Sequence, residues 1–213
     1  MNNEDLIRSL LKSHHPVPRT ALALRLWSST GVGLAAAIGI SALYLGLRPD
    51  IGPALATFPF WMKWVYVALL GIGALLGLRQ IARPDAEALP WLWLLVLPVA
   101  GIAALAAWQA WRAPPGAWSM LWMGVSWDSC PLTIAALSVP IFAGLIFAFR
   151  KFAPTQLRLA GFLAGLASGG LSAFAYGLHC PETSAVFVAI WYSAGVAIPS
   201  VIGALAGPRL LRW

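Results

Sequence analysis

Residues 159–178 read LAGFLAGLASGGLSAFAYGL, an unbroken apolar run without one charged side chain. The hydrocarbon core of a bilayer is about 30 Å thick and is crossed by roughly 20 apolar residues in a helix, so this run is one membrane span. Its apolar residues are continuous rather than alternating, which excludes a barrel strand. Five further runs have the same character, at about Trp27–Leu47, Phe60–Leu78, Pro90–Trp111, Pro131–Phe149 and Val186–Leu205. The fold expected is therefore an all-α integral membrane protein with six transmembrane helices.

Composition agrees with that reading. Of 213 residues, 60% are hydrophobic and 10% charged, too apolar a balance for a domain that must dissolve in water. The formal net charge of +7 would suggest nucleic acid in a soluble protein, but here the basic residues fall between the apolar runs. On an alternating path, eleven of the 14 Lys and Arg residues lie on one side, against Arg48, Lys63 and Arg112 on the other. The positive-inside rule then puts both termini in the cytoplasm of a multi-pass inner-membrane protein, with no direct nucleic-acid partner. Trp27, Trp61, Trp64, Trp91, Trp93, Trp108 and Trp111 stand near run ends, where aromatic belts meet the bilayer surface. The first run is too long for a signal-peptide core and is expected to be retained. Two parts result: a cytoplasmic amphipathic tail at 1–26 and a six-helix membrane domain at 27–213.

The spans lack ionisable side chains, apart from Lys63 near an outer end, where it is expected to snorkel to the surface. Coupled transporters keep costly charges at membrane depth, so their absence argues against one. Pro98, Pro140 and Pro199 lie inside runs and keep a small-molecule transporter or channel as the rival reading, with simple kinks preferred. A structural subunit of a larger membrane complex is a second rival. Gly161, Gly165 and Gly169, like Gly73 and Gly77, recur every four residues and allow close helix approach. Packing within the chain is preferred, and a homo-oligomer stays open. No phosphate loop, nucleophile triad or carboxylate pair stands in the loops, so no enzyme and no constitutive cofactor are expected.

Cys130 and Cys180 fall at the outer ends of the fourth and fifth spans, which form an antiparallel hairpin. In an oxidising compartment they are placed either for a structural disulfide or for a reactive pair. Asp128, His179 and Glu182 share this neighbourhood, so a soft or borderline metal ion could be held transiently by Cys130, Cys180, His179, Glu182 and Asp128. The spacing is not that of a zinc module, and the lack of a C-x-x-C pair counts against a thiol oxidase.

At the other end, Leu6, Ile7, Leu10 and Leu11 form one stripe of a short helix, with Glu4, Asp5, Arg8, Ser9 and Lys12 opposite. Asn2 or Asn3 can cap it, and Glu4 and Asp5 suit its positive end. So short a helix is marginal alone, and its acidic start favours a protein groove over an anionic lipid surface. His14, His15, Pro16 and Pro18 then make an extended spacer to the membrane.

The chain resembles the NrsF-like six-helix membrane anti-sigma factors of proteobacteria. The resemblance is carried by Asp5-Leu6-Ile7 with Leu10, Leu47-Arg48-Pro49-Asp50, Ser126-Trp127 with Cys130, and His179-Cys180-Pro181-Glu182 followed by Phe187-Val188 and Trp191-Tyr192. It implies an extracytoplasmic-function (ECF) sigma factor as partner, bound by the tail through Asp5, Leu6, Ile7, Leu10 and Leu11. It further implies that Cys130 and Cys180 sense a periplasmic stress, a heavy metal or an oxidant, and that the sigma factor is then released.

Overall fold

The computed structural model describes residues 19–82, 90–150, 152 and 156–212. The tail residues assigned to the partner, Asp5, Leu6, Ile7, Leu10 and Leu11, lie outside them, as does the His14–Pro18 spacer. The described residues are helical with no strand, as lipid requires of a chain whose backbone groups must pair among themselves.

Six helices are long and apolar enough to cross a membrane: Ala23–Leu45, Phe58–Ile81, Pro90–Arg112, Cys130–Phe149, Leu157–Tyr176 and Ala185–Leu210. They match the six expected runs to within a turn or so at each end. We number the helices α1 (Arg19–Ile40, passing into a π-turn at Ser41–Leu45), α2 (Ile51–Leu55), α3 (Phe58–Ile81) and α4 (Val96–Arg112, entered through a 3-10 turn at Pro90–Leu95). Next come α5 (Trp118–Met123), α6 (Cys130–Phe149), α7 (Leu157–Tyr176) and α8 (Ala185–Leu210, with a π-turn at Val188–Tyr192). Two details differ from the sequence reading. Helix α1 begins at Arg19, inside the stretch assigned to the tail, and the 112–128 connection contains the short helix α5 rather than loop alone.

Helix α7 is the hub, packed against α8, α3 and α6. Its glycines explain why. A side chain on Gly161 would strike the backbone of Gly203 on α8, one on Gly165 the backbone at Pro199 and Ser200, and one on Gly169 the backbone at Val196. Gly170 meets Gly71 of α3 in the same way. The four-residue glycine repeat is therefore used for packing inside the chain. Gly73 and Gly77 face Leu95 and Leu92 of the 3-10 turn before α4. Helix α4 itself is the least buried span, leaning on α8 at Ala185–Phe187 and leaving a cavity of about 770 Å³ walled by Leu70, Leu92, Val96, Leu166 and Val196.

The core divides along the bundle axis. At one end Leu26, Ile81, Phe149 and Leu211 share a cluster, which brings the described N-terminal and C-terminal ends to one face. At the other end Tyr66, Ile134, Tyr176 and Tyr192 cluster with Cys130 and Cys180. The cysteine face and the terminal face are thus opposite ends of one bundle.

Candidate functional site

Cys130 opens α6 and Cys180 follows α7 by a short turn, so the antiparallel α6–α7 hairpin brings both to one face, as its topology demands. Both are unbridged and both are fully buried. Around them stand Tyr176 and Tyr192, whose rings are 5.9 Å apart, and Ser126, whose Oγ lies 3.9 Å from Cys180 Sγ. The Tyr192 hydroxyl is buried without a hydrogen-bond partner among the described residues. Tyr192 belongs to the π-turn of α8, a widened turn of the kind that recurs at functional sites.

The turn carrying Cys180 is held from several sides. Lys63 Nζ of α3 donates to the Cys180 carbonyl at 2.7 Å and to the Glu182 carbonyl at 3.2 Å. Arg48, after α1, donates from its backbone N to the Leu178 carbonyl at 3.1 Å and from Nη1 to the Cys180 carbonyl at 3.4 Å. Lys63 does not snorkel as expected; it is fully buried, because the carbonyls that satisfy it lie within the protein and not at the surface. A carboxylate would neutralise it in a conventional pair, yet both acceptors here are backbone.

The remaining expected donors are turned to other tasks. His179 Nδ1 donates to the Gly46 carbonyl at 3.0 Å, since a carbonyl can only accept. Glu182 Oε1 accepts from Val125 N at 2.6 Å and from Ser126 Oγ at 3.4 Å. That contact needs Gly124: its φ of +56° is left-handed, and a side chain there would overlap the Glu182 carboxylate. Asp128 is exposed. Among the described residues no three His, Cys, Asp or Glu side chains converge as metal ligands in this conformation.

Gln109, which no motif singled out, clamps the start of α8. Its Oε1 accepts from Ala185 N at 2.7 Å, Val186 N at 3.4 Å and Ser184 Oγ at 3.3 Å. Ala185 N and Val186 N are unpaired N–H groups of a helix start, here capped by a side chain from α4. The only signal in the sequence was a lone amide in an apolar run.

Arg48 and Asp50 form a two-pronged ion pair, Nε to Oδ1 at 2.8 Å and Nη2 to Oδ2 at 2.6 Å. Hydrogen bonding to Arg48 holds the Asp50 carboxyl below its ordinary value, and the carboxylate raises Arg48 in return. A carboxyl depressed by folding stabilises the fold at pH above its unfolded value, near 3.8, and that contribution is lost as the pH falls through the lower folded value. Asp50→Asn is accordingly expected to lower the melting temperature in detergent at neutral pH and to match the wild type once the wild-type carboxyl is protonated. Parallel melting curves for the two proteins, taken down the acid range, check this.

The fold and site define a six-span helical protein with a buried thiol pair at the face opposite its chain ends. The sequence profile described as "Negative regulator of sigma F" matches residues 10–213, and the chain belongs to this NrsF family. It is 41% identical over 214 residues to the probable anti-sigma-F factor NrsF of Azospira oryzae, and 39% identical over 219 residues to the anti-sigma-F factor NrsF of Caulobacter vibrioides. Each alignment covers 100% of both chains. No solved structure matches the chain.

Proposed function

We propose that this protein is an anti-sigma factor of the bacterial inner membrane that holds an ECF sigma factor at the cytoplasmic surface and frees it when metal or oxidative stress reaches Cys130 and Cys180. The observation that carries the reading is full-length similarity to two proteins named as anti-sigma-F factors. The alternating path assigns eleven of the 14 basic residues to the side of the chain ends, and the positive-inside rule makes that face cytoplasmic and the cysteine face periplasmic.

The tail then meets its partner where transcription occurs, through Asp5, Leu6, Ile7, Leu10 and Leu11. The thiols lie where an external reagent arrives first. Two sulfurs suit a soft ion, which takes thiolates in preference to oxygen ligands, and equally suit an oxidant that joins them. Either event draws the starts of α6 and α8 toward a new arrangement around the turn. Because α7 is locked to α8 by glycine contacts along its length, a shift at the cysteine face travels to the terminal face as movement of a rigid pair.

The test is transcription from a promoter of the cognate sigma factor. Deleting the gene is expected to raise it to the induced level without stress, and restoring the full chain to return it to baseline. Unchanged transcription in the deletion strain would refute the anti-sigma reading.

A further inference from the structure

The most unusual group of the cysteine face is a charge. Lys63 is fully buried in a membrane span, and the one ion pair among the described residues joins Arg48 to Asp50 and leaves Lys63 aside. A charge buried inside the protein is costly unless it is well hydrogen-bonded. The ammonium spends its hydrogen bonds on the carbonyls of Cys180 and Glu182, two residues of the same turn. Between them stands Pro181, which has no N–H to give to a backbone ladder. The backbone N–H groups of His179 and Cys180 both donate back to the Tyr176 carbonyl, whereas the carbonyls of Cys180 and Glu182 are held by side chains from elsewhere, Lys63 from α3 and, at Cys180, Arg48 from the end of the first span.

We propose that Lys63 is a positioning residue that keeps the Cys180 thiol sealed, so that access to the thiol pair is gated by the grip of α3 on this turn. Without the ammonium, the Glu182 carbonyl loses its donor and the Cys180 carbonyl keeps only the longer contact from Arg48. The part-buried Glu182 carbonyl left without a donor, and the buried Cys180 carbonyl left with a weaker one, recover their hydrogen bonds from water, and admitting water opens the turn. The meaning of the gate for signalling rests on the sensor reading above; the seal is a property of the turn alone. If Lys63 merely filled space, methionine, of similar length and apolar, would leave the turn shut, since an apolar residue often replaces a buried charge without loss of fold.

The experiment follows alkylation of Cys180 by a water-soluble maleimide at one fixed pH, in full-length protein carrying Cys130→Ser in detergent micelles. A second cysteine, introduced as Ser172→Cys on α7 in a cysteine-free chain, reports global unfolding. Lys63→Met is expected to speed labelling of Cys180 by about tenfold or more while the α7 position stays protected, as a local opening does. Lys63→Arg, which keeps the donors, is expected to label at close to the wild-type rate.

Labelling of Lys63→Met at or below the wild-type rate overturns the gate. Should Lys63→Met expose the α7 position too, Lys63→Gln, which keeps an amide donor on a shorter, uncharged side chain, decides the matter. Selective exposure of Cys180 supports the gate, and exposure of both positions overturns it. In cells, opening of the turn with the sigma factor still held would leave the gate standing and count against the sensor reading.

Discussion

Replacing Cys130 and Cys180 together by serine is expected to leave the sigma factor held at the membrane and to abolish its release, so that transcription with and without inducer becomes equal. Serine fits the space that each thiol occupies but is neither a soft ligand nor a redox partner, so the change removes chemistry while sparing packing. The two residues occupy the buried centre of the cysteine face, against Tyr176 and Tyr192. A purely structural pair would give another pattern: less protein in the membrane and a raised basal level, with inducibility kept. Each single substitution is expected to abolish induction as fully as the double one, because one sulfur can neither chelate nor form a disulfide within the chain. Reporter transcription under heavy metal and under peroxide, in cells with matched protein levels, separates the cases. Induction unchanged in the double variant would rule out sensing by these cysteines.

Changing Leu6, Ile7, Leu10 and Leu11 together to alanine is expected to weaken sigma binding at least about 100-fold, because buried aliphatic anchors carry most of the energy of a helix-in-groove contact. The loss should be seen as constitutive transcription in cells and as a rise in Kd when tail peptides are titrated into the purified sigma factor. Changing Asp5 alone is expected to cost much less, since beside the aliphatic anchors a carboxylate at the helix start adds about 0.3–1 kcal/mol. The membrane domain should accumulate unchanged, as its contacts among described residues begin with α1.

How far the sequence carries depends on what fixes each feature. Span positions were legible because lipid leaves an apolar run no alternative to a helix. A close helix approach along α7 was legible in the spacing of Gly161, Gly165 and Gly169, though not that α8 makes it. The meeting of Cys130 and Cys180 followed from the hairpin alone. Lys63 was misread: its place near a span end suggests snorkelling, while the Cys180 and Glu182 carbonyls that bury it are 117 and 119 residues away. The same holds for His179 and Glu182, whose neighbours in sequence suggest metal ligation but whose side chains turn to Gly46 and Val125. Gln109 and the two π-turns left no mark beyond a lone amide and an ordinary apolar run. Local pattern predicted what the solvent imposes, and it failed where a single distant hydrogen bond decides.

Everything proposed for the tail rests on capture of a sigma factor by the first residues of this chain. Its most direct test is co-purification of the full-length protein, and of a version lacking residues 1–13, with each sigma factor of the host from detergent extracts. One sigma factor is expected to copurify with the full chain and none with the shortened one. Equal capture by both, or capture by neither, would contradict it.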